Sequence, residues 1–155
     1  MDPTACDAAP TRLRNTPSWL LSQLTAHAHR LVWDAFSATD DRRYHYALLA
    51  AVEEYGPASQ AALGRRCGID RSDVVAALNE LADRGLVTRS PDPADRRRNI
   101  VSVTPGGRRH LERLDEVLGR AQDELLAGLS ADERGQLVRL LQRALEHHAP
   151  SRREE

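Results

Sequence analysis

QAALGRRCGIDRSDVVAALN, residues 60–79, has the pattern of two helices crossing at a tight turn. Leu63 and Cys67 are apolar one turn apart, and Gly64 is small enough for another helix to lie across it. Gly68 falls where the chain must turn, in a left-handed conformation that other residues adopt only at a cost. Ile69, Val74 and Ala77 supply the apolar face of the second helix and its approach. Asp70 stands at the cap position and Asp73 one turn in, where acids suit the positive end of a helix. The spacing predicts helices over 59–66 and 71–84. A pair joined in this way is a helix-turn-helix, whose second helix is placed to enter a major groove. Taken alone, the same pattern also suits an ordinary helix hairpin.

Downstream the period changes. Residues 86–89 and 99–103 read as two short strands, the second carrying β-branched Ile100, Val101 and Val103. Ser90-Pro91-Asp92-Pro93-Ala94-Asp95 between them is turn chemistry, and the hairpin is tipped by Arg96, Arg97 and Arg98. Arginines on a hairpin beside such a helix can lie along phosphates or enter a minor groove. Upstream, Thr16-Pro17 reads as a cap followed by proline at the first helical position. Leu20, Leu24, Ala28, Leu31 and Ala35 then keep helical steps to about Phe36. A second helix from about Asp41 puts Tyr44, Leu48, Ala51 and Tyr55 on one face and stops at Gly56-Pro57. Thr104-Pro105 opens a long helix striped by Leu111, Leu114, Leu118, Ala121, Leu125 and Leu129. The capping box Ser130-x-x-Glu133 opens a last helix with Leu137, Leu141, Ala144 and Leu145 apolar.

The fold class expected is mainly α with a small β-hairpin wing. Residues 1–16, broken by Pro3 and Pro10, read as a flexible arm, and 149–155 as a frayed tail. The length of 155 residues suits one unit, and 41% hydrophobic with 29% charged residues is a globular balance. No apolar run approaches the roughly 18 residues of a membrane span, and residues 1–10 lack a signal peptide's apolar stretch. Two cysteines, Cys6 and Cys67, give no disulfide framework, so the cytoplasm is expected. A net charge of −1 argues against indiscriminate nucleic-acid binding, but the distribution is uneven. Residues 84–109 hold seven arginines against Asp92 and Asp95, while 110–148 hold eight acids against five arginines. That suits a local phosphate footprint, the alternative being a solvated charged loop. All 22 basic residues are arginine, which points to a GC-rich genome before any function. There is no glycine-rich phosphate loop, no G-x-S-x-G and no H-E-x-x-H, so neither an enzyme nor a cofactor is expected. Glu146-His147-His148 lacks a spaced partner cluster for a metal, and Cys67 reads as an inert core position.

With those motifs in hand, the sequence closely resembles the MarR family of bacterial regulators from about Trp19 to His148. The residues that carry the resemblance are Ala62-Leu63-Gly64, Arg84-Gly85-Leu86-Val87, Asp92-Pro93-Ala94-Asp95-Arg96-Arg97, and Thr104 with Gly107. The resemblance implies a homodimer of triangular outline reading a palindromic operator on double-stranded DNA. Residues 17–40 and 105–148 would form the dimerisation base, and 41–104 a winged helix-turn-helix lobe. Arg97 would be the wing arginine that enters the minor groove, with Asp95 its supporting companion. One departure stands out. Many members put a small hydroxyl residue and then a base-contacting arginine just after the position of Val74, where this chain has Val75, Ala76 and Ala77. Base readout is then expected from Gln60, Arg71, Ser72, Asp73 and Asn79, with Val75 able to meet a thymine methyl.

Trp19, Gln23, His27 and Arg30 share a face of the first long helix, and five of the six Phe, Trp and Tyr residues lie between 19 and 46. An aromatic plane beside arginine or histidine suits a small aromatic carboxylate, although dimer packing also uses Trp and Tyr. Family members that release DNA on binding aromatic or phenolic acids make such an effector the expectation, held by Arg14, Trp19, His27, His45 and Arg109. The functional reading is a ligand-responsive transcriptional repressor. The alternatives are a redox-responsive repressor using Cys6, and a protein-interaction module without DNA binding.

Overall fold

The computed structural model describes residues 9–148, and within them proline and glycine mark most of the boundaries. A single turn, α1 (Thr11–Arg14), precedes α2 (Pro17–Ser37), which starts on its proline. α3 (Arg43–Tyr55) ends at Gly56, whose φ of 78° is left-handed. β1 (Ala58–Ser59), α4 (Gln60–Cys67) and α5 (Arg71–Asp83) come next, with Gly68 at φ 63° making the turn between the helices. β2 (Val87–Pro91) and β3 (Asn99–Val103) form the hairpin, and α6 (Pro105–Leu125) and α7 (Ala131–His148) complete the chain. The strands make one antiparallel sheet in the order β1-β3-β2, with Val87 opposite Val103 and Ala58 opposite Val101. This is a winged helix-turn-helix lobe carried between longer helices, and among the described residues no helix is long and apolar enough to cross a membrane.

The helix-turn-helix reading holds at its small residues. A Cβ on Gly64 would stand 3.2 Å from both Ile69 O and Val74 Cγ2, so the two helices cross at that point. Leu48, Leu49, Leu63, Leu78, Leu81 and Val101 are fully enclosed, which joins α3, α4, α5 and the central strand in one core. Several expectations are corrected. Thr16 does not cap α2 with its side chain, because its hydroxyl donates backward to Arg12 O at 2.8 Å. Residues 11–14 form a helical turn where no element is expected, Pro10 O accepting from Leu13 N and Arg14 N. Tyr55 lies outside, its ring under the Arg66 guanidinium 4.5 Å away, and His45, Leu49 and Val52 fill the inner face of α3. Asp70 occupies the cap position without a side-chain hydrogen bond. The Ser130–Glu133 capping box is formed in both directions, at 2.8 and 3.3 Å.

The junction of wing and α6 is the tightest point of the lobe. Thr104 Oγ1 accepts from Gly107 N at 2.9 Å and donates to Gly85 O at 2.8 Å, while Thr104 N donates to Leu86 O. Gly107 lies so close to the Leu86 carbonyl that a Cβ would overlap it, and would also stand 2.8 Å from Val103 Cγ2. The carbonyl is backbone and cannot swing aside. Gly106, whose nearest neighbour would be 3.6 Å away, has room. Gly107→Ala is therefore expected to destabilise by about 2 kcal/mol or more, as overpacking does. Gly106→Ala should be neutral or stabilising by a few tenths of a kcal/mol through helix propensity. Urea unfolding of the two variants checks the contrast, and equal midpoints would refute it.

Candidate nucleic-acid interface

α4 and α5 meet the wing around a groove of about 700 Å3, bordered by Gln60, Arg65, Arg71, Val75, Arg97 and Arg98. Ser59 starts α4 by accepting from Ala62 N at 3.3 Å, which sets Gln60 at the helix's first position and at the groove. Arg71 opens α5, and Val75 stands one turn further along the same face. The turn of the wing is held by its own side chains. Asp92 Oδ1 accepts from Ala94 N at 2.9 Å, and Asp95 Oδ1 accepts from Arg97 N at 3.0 Å. Asp95 thus fixes the backbone of Arg97, while its other oxygen lies 3.5 Å from Arg98 Nε. Arg96, Arg97 and Arg98 are exposed, and neither Arg96 nor Arg97 has an ion-pair partner among the described residues.

Of the expected base-reading residues, Gln60, Arg71 and Val75 share this groove with Arg97 and Arg98. Ser72, Asn79 and Arg96 are exposed but lie outside its lining, and Asp73 is half-buried. Arg65 and Asn99 were not anticipated. Arg65 was legible in principle, since Gln60, Ala61, Gly64 and Arg65 recur at the steps that keep one helix face. Asn99 depends on the register of the hairpin, where it pairs with Pro91.

Behind the groove, α5 is fastened by a cluster of charges. Asp41, buried, accepts from Arg84 Nη1 at 2.8 Å at the end of α5 and from His110 Nε2 at 2.9 Å on α6. His110 Nδ1 lies 2.9 Å from Arg113 Nη2, and its Nε2 also lies 3.1 Å from Arg84 Nη2. Burial raises the Asp41 carboxyl, but the hydrogen bonds and charges of Arg84 and His110 outweigh it and hold the carboxyl below its usual range. His45 Nδ1 accepts from Arg42 N at 3.2 Å, and its Nε2 faces Glu80 Oε2 on α5 at 2.9 Å. Glu80 also pairs with Arg42, whose hydrogen bond holds its carboxyl low.

This arrangement corrects one expected effector residue. His45 is enclosed, its Nδ1 accepting from Arg42 N and its Nε2 lying 2.9 Å from Glu80 Oε2 without hydrogen-bond geometry, so it packs between α3 and α5 and does not face solvent. Among the described residues Arg14 reaches only Thr11, at 3.4 Å, His27 pairs with Arg30 at 3.4 Å, Trp19 is half-buried and Arg109 is exposed. None of them lines the apolar cavity that the structure does have beside α2, between Val32, Trp33, Phe36 and Tyr44. Cys67 is half-buried, its Sγ 3.5 Å from Ala47 O, and burial pushes its thiol up. Cys6 lies outside the described residues.

A family model described as the MarR family matches residues 40–98, the span that holds the helix-turn-helix and the wing. A protein of Thauera aromatica, assigned as a transcriptional regulatory protein for the hcr operon, is 37% identical over 98 residues. That match covers 63% of this chain, and the chain spans 59% of the length of that relative. The crystal structure of a protein from Pseudomonas aeruginosa, assigned as a transcriptional regulator, is 32% identical with a TM-score of 0.72, over 85% of this chain and 98% of that one. The PcaV transcriptional regulator of Streptomyces coelicolor, solved with its natural ligand, is 31% identical with a TM-score of 0.69, over 89% and 97%.

Burial holds the His45 imidazole below the ordinary histidine value of 6.5, with Glu80 and Asp41 only partly offsetting it. The fold therefore favours the neutral ring. The stability this contributes is complete above pH 6.5 and is lost as the pH falls through the lower folded value. Urea midpoints are expected to fall between pH 7 and pH 5, and His45→Gln should show a smaller fall from a lower starting point. An identical pH profile in the two proteins would remove His45 as the cause.

Proposed function

The chain belongs to the MarR family of transcriptional regulators, and from that premise we propose that it is a repressor released from a palindromic operator by a small aromatic or phenolic acid. The observation that carries the DNA-binding part is the groove shared by Gln60, Arg71, Val75 and the wing arginines. In that reading α5 enters the major groove, and Arg97, without an ion-pair partner among the described residues, enters the adjacent minor groove. Asp95 supports it by fixing the backbone of Arg97. Arg71, Ser72, Asp73 and Asn79 are the proposed polar contacts with base edges or phosphates, and Arg96 and Arg98 flank the wing contact.

The proposal includes a homodimer, because the long helices leave apolar surface uncovered. Leu20, Leu21 and Leu24 on α2 and Val138, Leu140, Leu141 and Leu145 on α7 are exposed, and α7 buries no residue of its own. Residues 17–40 and 105–148 are the proposed base, with a self-complementary two-fold interface. Sedimentation at micromolar concentration should give a dimer, and Leu145→Glu should shift it toward monomer. A folded wild-type monomer would refute this part.

The effector part draws support from the PcaV regulator, which is solved with a natural ligand. Arg14, Trp19, His27 and Arg109 are proposed as contacts completed across the dimer, where an arginine fork and a ring plane would suit a carboxylate. A duplex selected from a random library by the purified protein provides the DNA probe. Arg97→Ala should weaken binding about tenfold or more and lower the salt slope by about one unit per wing. Unchanged affinity at several salt concentrations would remove Arg97 from the interface. Retention of a partner protein with no selected DNA at all would favour the interaction-module reading instead.

A further inference from the structure

We infer that Arg89, on β2 at the root of the wing, closes on the DNA phosphate strand that runs between α5 and the wing. The inference rests on the DNA-binding reading above and adds a contact that neither the helix nor the tip of the wing supplies. Strand alternation sets where the side chain lies. Val87, Arg89 and Pro91 share one face of β2, and across the ladder they stand opposite Val103, Val101 and Asn99. Val87 and Val101 are enclosed, so this is the face turned to the core, and α5 packs against β2. Asn99 borders the groove between α4, α5 and the wing, which puts Arg89 one pair inward from the groove's edge.

An arginine in that place needs an answering group. The residue is half-buried, and its Nε and Nη2 are both enclosed with no hydrogen-bond acceptor among the described residues. No carboxylate among them forms an ion pair with it. Nε–H and Nη2–H are the parallel donors of one guanidinium edge, the fork that takes two oxygens of a single carboxylate or phosphate. Enclosed cationic donors without an acceptor destabilise the protein that holds them. Other arginines at junctions between elements are answered, Arg84 by Asp41 and Arg134 by Asp123 and the carbonyls of Leu126 and Leu129. The acids of the wing turn, Asp92 and Asp95, are committed to backbone amides, and Glu80 of α5 pairs with Arg42.

DNA supplies the acceptor. With α5 in a major groove and the wing in the adjacent minor groove, the sugar-phosphate strand between the two grooves passes across the stretch of protein that joins helix to wing. β2 is that stretch, leading from the end of α5 to the turn of the wing, and Arg89 is its one basic residue. Neither enclosed nitrogen has a hydrogen bond to give up, so a change of rotamer brings the fork to a phosphate without breaking one. The contact reads no base. It fixes the angle at which helix and wing sit on the duplex, as backbone contacts do.

The test compares Arg89→Met, which keeps an unbranched apolar stem, with Arg89→Lys, which keeps the charge and loses the fork. Binding of the full chain to the selected duplex and to a scrambled duplex is measured at several salt concentrations, alongside urea unfolding. Arg89→Met should weaken both duplexes by a similar factor of about five or more and lower the salt slope by about one unit per lobe. Its urea midpoint should hold or rise, because an unanswered cation has been removed, and misfolding cannot produce that pair of effects. Arg89→Lys should keep the slope and recover part of the affinity. Neutral methylphosphonates in the strand between the two grooves should cost the wild type more affinity than Arg89→Met. Wild-type affinity and slope in Arg89→Met overturn the inference, as does a lowered urea midpoint with an unchanged methylphosphonate penalty. If Arg97→Ala weakens binding and Arg89→Met does not, the DNA-binding reading stands and this contact alone is overturned. If neither variant alters binding, or no duplex is selected, both readings fail.

Discussion

A carboxylate withdrawn from water at Asp41 fixes how the lobe meets the long helices. An ionised buried carboxyl is tolerated only when hydrogen-bonding or charged partners surround it. Here those partners come from two other elements, Arg84 at the end of α5 and His110 on α6. The same group sits just ahead of α3, so three elements converge on one charge. Removing a partner would leave that charge buried and unanswered, so the geometry of the junction is specified more sharply than apolar packing alone would specify it. The end of α5 is pinned by this means, while its start is set by the Gly68 turn, and its apolar face by Val74, Ala77, Leu78 and Leu81.

The opposite side of the lobe is locked by close approach instead of charge. Thr104 and Gly107 bring α6 onto the backbone of Leu86, so the wing leaves the lobe at a fixed angle. Asp92 and Asp95 then close the turn with backbone hydrogen bonds inside the wing itself. Arg96 and Arg97 at the tip are exposed on a turn stabilised from within, and neither has an ion-pair partner among the described residues, whereas Arg98 faces Asp95.

Signals in the sequence are legible where one residue acts on its neighbours. Gly68 at the turn, Thr104 at a cap, the Ser130–Glu133 box and the β-branched residues of β3 each act over a few positions, and all four stand in the fold. The misses have the opposite character. β1 is two residues long and exists only because Ala58 and Ser59 find β3, about forty residues on, which no periodicity over two residues can announce. Helical spacing turns Tyr55 inward, yet the cation above it offers a better place outside. His45 has the chemistry of a ligand residue by type alone. Its burial against Arg42 and Glu80 arises from the packing of α3 on α5, a long-range contact that composition does not encode.

The charges of α5 explain why the proposed site divides its labour between helix and wing. α5 carries Asp73, Glu80 and Asp83 against Arg71 alone, an unusual balance for a helix that approaches phosphates. Attraction must then come from its surroundings, from Arg65 on α4 and from Arg96, Arg97 and Arg98 on the wing. On the proposed reading, α5 itself is left to read shape and base edges with Arg71, Val75 and short polar groups, contacts that discriminate without adding much charge. A helix so close to repelling its target is sensitive to the state of each of its acids. Arg42, paired with Glu80, covers one of those acids.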